Sequence, residues 1–296
     1  MKEVVVISGK GGTGKTSITA AFASLANKSV LADCDVDAAD LHLVMEPKIE
    51  ETTDFSGGKE ASIITEKCIG CGKCADMCRF GAISLNGSGN ETVDKTYVVD
   101  PVSCEGCKVC VEFCPVSAIE FKDAINGQWF MSQTRFGPMV HARLGIAEEN
   151  SGKLVTLIRK EAKKIAQAQS RDMVIVDGSP GIGCPVIASI TGADLVIVVT
   201  EPTLSGIHDL ERVANLTGNF GINTLVCVNK ADINLEMTER IEKQAEEKGL
   251  KVIGKIPYDE SFTKAQIMKA TLIEYTGGDI AERVKSMWRE VIYALG

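Results

Sequence analysis

The sequence predicts an α/β fold: a doubly wound, mostly parallel sheet into which a smaller α+β module is inserted. A β-branched strand, a glycine-rich turn and a helical stretch begin the chain, two four-cysteine runs stand in its middle, and apolar strands alternate with helical patterns beyond them. Alternating strands and helices are typical of parallel sheets. We expect the sheet domain to comprise residues 1–60 and 124–296, and the inserted module to comprise residues 61–123.

Composition limits the classes of function. The 296 residues carry a formal net charge of -8, which argues against nucleic acid or an anionic membrane as a partner. The sequence shows no bilayer-spanning stretch and no signal-peptide pattern, so we expect a cytoplasmic protein. In a reducing compartment, eleven cysteines hold metal more often than they form disulfides.

The glycine-rich turn has the form of a phosphate cradle. A strand at residues 4–8 leads into it and a helix at residues 17–26 follows, so backbone N–H groups and a helix N-terminus converge where a polyphosphate can bind. On this pattern Lys15 reaches the β- and γ-phosphates, and the Thr16 hydroxyl holds Mg²⁺. A turn that binds nothing is the alternative. The predicted nucleotide-binding residues here are Gly9, Lys10, Gly11, Gly12, Thr13, Gly14, Lys15, Thr16 and Ser17.

The lysine at position 10 is an addition to the ordinary pattern. A Gly-Lys-Gly-Gly start resembles the deviant P-loop of the superfamily that contains MinD, ParA and the nitrogenase iron protein. The resemblance implies a P-loop ATPase that forms a nucleotide-sandwich dimer, either a homodimer or a heterodimer with a paralogue. It also implies that Lys10 reaches phosphates across that dimer and acts in catalysis with Lys15. The alternative for Lys10 is an ordinary solvated lysine.

Acidic residues follow the second predicted strand, at Asp33, Asp35 and Asp37. Doubly wound sheets bind ligands at the carboxyl ends of their strands. By the resemblance this segment is switch I, in which Asp35 orients the attacking water and Asp33 or Asp37 lies near Mg²⁺. Carboxylates that only cap the next short helix are the alternative. Residues 47–58 are polar and glycine-rich, and we predict a linker there.

Eight cysteines stand in two runs of identical spacing, Cys-x2-Cys-x2-Cys-x3-Cys. This doubled spacing is typical of bacterial ferredoxins with two [4Fe-4S] clusters, in which the fourth cysteine of each run belongs to the other cluster. Zinc needs four ligands in two pairs and fits the spacing poorly. The crossed pattern assigns Cys68, Cys71, Cys74 and Cys114 to one cluster, and Cys104, Cys107, Cys110 and Cys78 to the other.

A strand at residues 173–176 ends in Asp177, and Gly181 follows four residues later. This pattern is typical of the Walker B and switch II motifs, in which Asp177 binds Mg²⁺ or its water ligands and the Gly181 N–H donates to the γ-phosphate. Cys184 has the spacing from Asp177 at which the nitrogenase iron protein family places a cysteine of a cluster shared across its dimer. That family needs a second cysteine in each subunit, and none outside the two runs matches, so we expect Cys184 to be a buried, inert thiol.

Two further patterns occur in the last third of the chain. A strand ends in Asn229-Lys230-Ala231-Asp232. GTPases recognise guanine with this motif, whereas the resemblance implies that Asn229 contacts adenine. The resemblance therefore implies ATP, and the residues alone leave GTP open. Residues 280–295 carry one apolar helical face, and the mixed charges opposite it favour core packing over lipid binding. The residues of that face are Ile280, Val284, Met287, Trp288, Val291 and Ile292.

The whole chain resembles MinD-superfamily P-loop ATPases that contain an inserted ferredoxin domain. We expect an ATPase in which nucleotide-driven dimer switching gates electron transfer, through two [4Fe-4S] clusters, to a redox partner protein that the sequence does not identify. One alternative is an iron-sulfur cluster carrier or assembly ATPase, as Mrp-type relatives imply. Another is a MinD-like or ParA-like positioning ATPase whose clusters are structural.

Overall fold

A computed structural model describes residues 1–145 and 151–296. Their packing divides the chain into two compact units. Unit 1 comprises Met1–Thr53, Trp129–Arg143 and Ser151–Gly296, and unit 2 comprises Asp54–Gln128 with the described residues 144–145.

The described part of the chain contains both strands and helices. The strands are β1 (Lys2–Ser8), β2 (Ser29–Asp33), β3 (Lys48–Phe55), β4 (Gly58–Ile63), β5 (Ile83–Ser88), β6 (Lys95–Val99), β7 (Ile119–Ala124), β8 (Gly127–Thr134), β9 (Gly137–Leu144), β10 (Met173–Pro180), β11 (Leu195–Thr200), β12 (Thr224–Asn229) and β13 (Lys251–Ile256). The helices are α1 (Lys15–Leu25), α2 (Leu41–Met45), α3 (Lys73–Met77), α4 (Val109–Glu112), α5 (Ser151–Ala168), α6 (Cys184–Ile190), α7 (Leu204–Asn219), α8 (Leu235–Glu247), α9 (Ser261–Ile267), α10 (Leu272–Tyr275) and α11 (Asp279–Leu295).

Over the described residues, nine strands form one sheet in the order β13-β12-β11-β1-β10-β2-β9-β8-β3. The pairs from β13 through to β9 are parallel. The chain winds outward from β1 in both directions, so a crevice opens at the carboxyl end of β1, where such sheets bind ligands. The predicted large and mostly parallel α/β sheet is confirmed.

Helices cover both faces of the sheet. Val4 and Val6 pack in one buried cluster with Phe22 of α1 and Trp288 of α11, whose rings lie 5.1 Å apart between centroids. Because successive side chains of a strand alternate, Val5 and the other odd-numbered residues of β1 face the opposite side. There α5, α6 and α7 contact β2, β10 and β11. The central strands are therefore buried on both faces, as their unbroken apolar runs require.

Unit 2 contains two small antiparallel sheets, β4 with β7 and β5 with β6. The short helices α3 and α4 contact each other. Its small apolar core consists of Ala61, Ile83, Cys110 and Ile119, with partly buried cysteines packed against it. Because so few apolar side chains are buried, the cysteines form a large share of the interior of this unit.

Two details differ from the predictions. The predicted linker at residues 47–58 is wrong, since β3 occupies Lys48–Phe55 as an edge strand whose side chains are exposed except for that of Phe55. On α11 the predicted apolar face is buried except for Ile292, which is 44% exposed.

No described helix has the length and apolar character that crossing a membrane requires.

Candidate functional site

A cavity of about 420 Å³ lies at the carboxyl ends of the central strands. The glycine-rich turn between β1 and α1 forms one wall of this cavity. Gly12 and Gly14 adopt positive φ angles in this turn, a conformation that residues with a Cβ seldom adopt. The predicted residues Gly11, Gly12, Thr13, Gly14, Lys15, Thr16 and Ser17 line this cavity, together with Asp35, Asn229, Lys230, Pro257, Tyr258, Phe262 and Gln266.

Lys15 and Asp177 form a buried ion pair beneath the turn. The Lys15 Nζ lies 2.8 Å from Asp177 Oδ1 and 3.3 Å from Asp35 Oδ2. Thr16 donates a hydrogen bond of 2.8 Å to Asp177 Oδ2, and the Thr19 hydroxyl lies 2.9 Å from Asp177 Oδ1. Burial lowers the pKa of Lys15, but the carboxylates of Asp177 and Asp35 outweigh it and raise that pKa above its usual value. The lysine is therefore a fixed cation.

Asp33 has a buried carboxyl group with few hydrogen-bond partners. Its Oδ1 accepts a hydrogen bond of 3.2 Å from the Asp35 N–H, while its Oδ2 has no hydrogen-bond partner among the described residues. Burial, and then the negative charge of Asp177, raise the pKa of Asp33 well above its usual value. Burial likewise raises the pKa of Asp35. Mg²⁺ in nucleotide sites is held by one or two carboxylates together with phosphate oxygens and water, so the carboxyl groups of Asp33 and Asp177 suit that ion.

Lys10 bonds within its own chain. Its Nζ lies 2.6 Å from Glu201 Oε1 and donates to the Ser205 hydroxyl at 2.9 Å. Burial favours a raised pKa for Glu201, but hydrogen bonds from Lys10 and Lys230 lower it below the usual value. Gly9 lies directly against α7, because a Cβ there would stand 2.1 Å from the Asp209 Cβ.

Four other predicted residues bond to neighbouring segments of the sheet domain. The Gly181 N–H donates to the Ser8 carbonyl at 2.8 Å, and Asp232 accepts from the Tyr258 N–H at 2.6 Å. The Asn229 amide donates to the Thr13 carbonyl at 2.7 Å. Ser17 accepts a hydrogen bond of 3.0 Å from Gln266.

The eight predicted cluster cysteines line two further cavities in unit 2. Cys68, Cys71, Cys74 and Cys114 line one cavity. Cys78, Cys104, Cys107 and Cys110 line the other. Each cavity thus combines three cysteines of one run with the fourth of the other. Across the described ranges, no three His, Cys, Asp or Glu side chains converge closely enough to hold a single metal ion.

The two cysteine runs share one backbone conformation. Gly70 and Gly106 occupy equivalent positions with φ angles of 66° and 59°, and Gly72 and Lys108 follow with 79° and 67°. Because these residues have a left-handed backbone conformation, the chain reverses direction within each run, and the first three cysteines of the run line the same cavity. Burial raises the pKa of Cys74 to about 11, and this thiol is protonated when no cation is bound. A donor set of four cysteines fits iron-sulfur ligation.

The sequence analysis missed several contributors to the nucleotide cavity. Thr19 stands one helical turn after Lys15, a spacing that could have indicated it. Lys230 belongs to a motif already singled out, and its Nζ donates to the Gly12 carbonyl at 3.0 Å. Gln266 bonds to Ser17 from 249 residues away, and no local pattern indicates that contact. Cys184 is exposed, so the prediction of a buried thiol is wrong.

The chain is similar to known proteins in sequence and in fold. An uncharacterized protein of Methanocaldococcus jannaschii is 31% identical over 292 residues, which is 98% of this chain and 96% of that protein. A probable ferredoxin of Methanosarcina thermophila is 47% identical over 36 residues, 12% of this chain and 62% of the ferredoxin. The septum site-determining protein MinD of Pyrococcus horikoshii, solved with Mg-ADP, superposes with a TM-score of 0.58 at 17% identity and covers 98% of this chain and 95% of that chain.

The family follows from a match that extends over most of the chain. The sequence profile named CbiA, the CobQ/CobB/MinD/ParA nucleotide binding domain, matches residues 4–272. Because this match spans most of the sequence and the sheet carries the phosphate turn at its central strand, the chain belongs to the CobQ/CobB/MinD/ParA family of P-loop ATPases.

Proposed function

We propose that this protein is an ATP-hydrolysing iron-sulfur protein in which the nucleotide state controls electron transfer through two [4Fe-4S] clusters. One observation carries the proposal. The same chain contains the cavity lined by the phosphate turn with Lys15, and two cavities that are each lined by four cysteines. The family membership supports ATP hydrolysis, and the partial similarity to a ferredoxin supports the clusters.

The side chains around the phosphate turn suit a triphosphate. The Lys15 ammonium group, which here pairs with Asp177, is the cation that would neutralise phosphate oxygens. Thr16 and Asp177, with Asp33 beside them, would hold Mg²⁺, which supplies charge neutralisation on the transferred phosphoryl group. The carboxyl of Asp33 fits this role because one of its oxygens has no partner among the described residues.

Asp35 is the proposed residue that orients the attacking water and accepts its proton. It lines the cavity and lies 3.3 Å from the Lys15 ammonium group. Burial raises its pKa above the usual value for an aspartate, which makes its carboxylate a better proton acceptor. The turn, the lysine and this carboxylate therefore meet the main needs of hydrolysis: a bound phosphate, a compensating cation and a base.

The cysteine sets suit electron transfer. Cubane clusters held by thiolates transfer single electrons at low potential. Cys68 and Cys110 are buried, whereas Cys71 and Cys107 are exposed, so each proposed cluster has a side toward the interior and a side toward solvent. That arrangement allows a redox partner protein to approach either cluster.

Dimerisation is the proposed link between hydrolysis and electron transfer. In the family resemblance, Lys10 reaches a phosphate of the neighbouring subunit. In this structure Lys10 pairs with Glu201 of its own chain, so that contact must break before Lys10 could act in a partner. The dimer is proposed as a homodimer or as a heterodimer with a paralogue.

Anaerobic purification followed by a kinetic assay tests the proposal. The protein should contain about eight iron atoms and about eight sulfides per chain and should hydrolyse ATP. ATP should change the rate at which the reduced protein passes electrons to a dye acceptor, and Lys15→Met should abolish that change. A zinc-containing or nucleotide-indifferent protein would contradict the proposal.

The same preparation distinguishes the two alternatives. Iron-free protein that hydrolyses ATP and dimerises normally would favour a positioning ATPase with structural clusters. Quantitative transfer of labelled iron to an apo-protein would favour a cluster carrier or assembly factor.

A further inference from the structure

The turn between β5 and β6 holds the start of the first cysteine run through Asn90. The side-chain amide of Asn90 donates to the Cys68 carbonyl at 2.8 Å and to the Thr65 carbonyl at 2.5 Å. Cys68 is buried, and its own N–H donates to the Thr65 carbonyl at 3.2 Å. The two bonds from Asn90 therefore fix the backbone that carries this cysteine.

The oxygen of the Asn90 side chain is held by the turn itself. It accepts from the Thr92 N–H at 2.8 Å and from the Val93 N–H at 3.1 Å. The Asn90 N–H donates to the Val93 carbonyl at 2.9 Å. An asparagine amide has one acceptor oxygen and two N–H donors. Because the turn holds the oxygen and the cysteine run holds the nitrogen, the amide group has a single orientation.

The second cysteine run follows the first by 36 residues, and its surroundings repeat with the same offset. An added Cβ at Gly70 would stand 3.5 Å from the Lys95 carbonyl oxygen, and one at Gly106 would stand 2.2 Å from the Lys59 carbonyl oxygen. Strand β6 therefore borders the first run as β4 borders the second.

The repeat places an aspartate where the first run has its asparagine. Asp54 stands 36 positions before Asn90, and its Oδ1 accepts from the Gln128 amide at 2.9 Å. An aspartate carboxylate accepts hydrogen bonds and donates none, so Asp54 cannot hold the carbonyl of Cys104, the first cysteine of the second run. In this repeat, the first run receives donors from an asparagine where the second has a residue without donors.

We infer that Asn90 is a positioning residue for one of the two proposed clusters, the one assigned to Cys68, Cys71, Cys74 and Cys114. The inference rests on the proposed function and deepens it, because it distinguishes the two clusters by the support of their ligands. Replacing a residue that orients a metal ligand typically lowers metal affinity by about ten- to hundredfold. Loss of the Asn90 amide should therefore weaken this cluster and leave the other unchanged.

The rate of iron release to a chelator tests the inference. The natural chain, Asn90→Ala and Asn90→Asp are purified without oxygen and mixed with an excess of a colour-forming chelator of ferrous iron. About half of the iron, the four atoms of one cubane, should be released about tenfold faster in both variants, and the other half at the natural rate. The matched control Asn86→Ala changes an exposed asparagine of β5 and should release all of its iron at the natural rate.

Two further comparisons separate ligand positioning from a general loss of structure. The small core of unit 2 packs against cysteines of both sets, so a variant that only destabilises the unit should release both clusters faster. Asn90→Asp keeps the oxygen that closes the turn and lacks the two donors, and it serves if Asn90→Ala does not fold. Cys78→Ser with Cys110→Ser leaves only the Cys68 set complete and identifies the kinetic phase of that set.

Natural rates for both clusters in Asn90→Asp would overturn the inference, and so would faster release of both or of the Cys104 set alone. If the natural chain contains no iron, the proposed function fails, and hydrogen exchange in the metal-free protein then decides the inference. The Cys68 amide should exchange faster in Asn90→Asp than in Asn86→Ala. Equal exchange in the two variants would overturn the inference.

Discussion

The Lys15 ammonium nitrogen lies 2.8 Å from Asp177 Oδ1, although 162 residues separate the two in sequence. The sheet register explains the contact: β1 pairs in parallel with β10, so that Val6 stands beside Asp177 and the turn after β1 lies over that carboxylate. Burial removes both charges from water, and each is compensated by the other. The phosphate turn and the end of β10 are therefore one electrostatic unit before any nucleotide binds.

Replacing Lys15 should weaken both the fold and the function. Lys15→Met leaves Asp177, whose side chain is fully buried, without a cation, so the free energy of unfolding should fall by about 3 kcal/mol. ATP binding should also be lost. Urea denaturation of the nucleotide-free protein measures the first effect, and Lys164→Met, which removes an exposed ion pair, should change stability by less than about 0.5 kcal/mol. Equal stability of the two variants would refute the pairing.

The buried carboxyl group of Asp33 should lower the stability of the fold while it supports ATP hydrolysis. Asp33→Asn keeps the oxygen that accepts from Asp35 and removes a buried negative charge beside Asp177. The nucleotide-free variant should be more stable by about 1–2 kcal/mol, while ATP hydrolysis should fall by about tenfold or more. Thermal unfolding and a phosphate-release assay measure the two effects. The exposed control Asp172→Asn should change neither; an Asp33→Asn variant that loses stability would contradict the proposed role.

His141 should make the fold sensitive to mild acid. Burial lowers the pKa of His141 from 6.5 to about 4, and its Nε2 lies 2.9 Å from the Ser132 hydroxyl. Because the unfolded chain binds a proton on this histidine below pH 6.5 and the folded chain does not, stability falls as the pH drops from 6.5 toward 4. The fall should reach at most about 3 kcal/mol.

The measurement is the pH dependence of urea unfolding in the natural chain and in His141→Gln. The variant has no group that titrates at this position, so its stability should fall less over the same interval. Parallel curves for the two proteins would show that His141 is protonated equally in the folded and unfolded states.

The division of cysteines between two cavities can be tested with paired substitutions. Cys78→Ser with Cys110→Ser changes two residues from different runs that line the same cavity. Cys74→Ser with Cys78→Ser changes two residues of one run that line different cavities. The first variant should keep one complete cluster and about four iron atoms, whereas the second should damage both. The reverse pattern of iron content would show that each run holds its own cluster.

Much of the sheet follows from the sequence because its strands are buried on both faces. The apolar runs that form β1 and β10 were each predicted within a few residues of the observed bounds. The edge strand β3 was missed because an exposed strand needs no apolar pattern and its pairing with β8 is fixed only by the folded sheet.

Long-range contacts at the cavity show the limit of sequence reasoning. The roles expected for Lys15 and Thr16 follow from a local pattern, the glycine-rich turn between a strand and a helix, whose sequence determines its backbone geometry. The contact of Gln266 with Ser17, and that of Asn229 with Thr13, depend on elements joined only by the sheet. The spacing of the cysteines indicates the crossed sets, but nothing in the spacing indicates which cysteines are exposed.

The central claim is that the nucleotide site controls the clusters, and the reduction potential tests it most directly. The midpoint potentials of the anaerobically purified protein should be titrated with and without a non-hydrolysable ATP analogue and Mg²⁺, with Lys15→Met as the control. We predict that the analogue shifts at least one midpoint potential in the natural chain and none in the variant. Identical potentials in the natural chain with and without saturating analogue would contradict the claim.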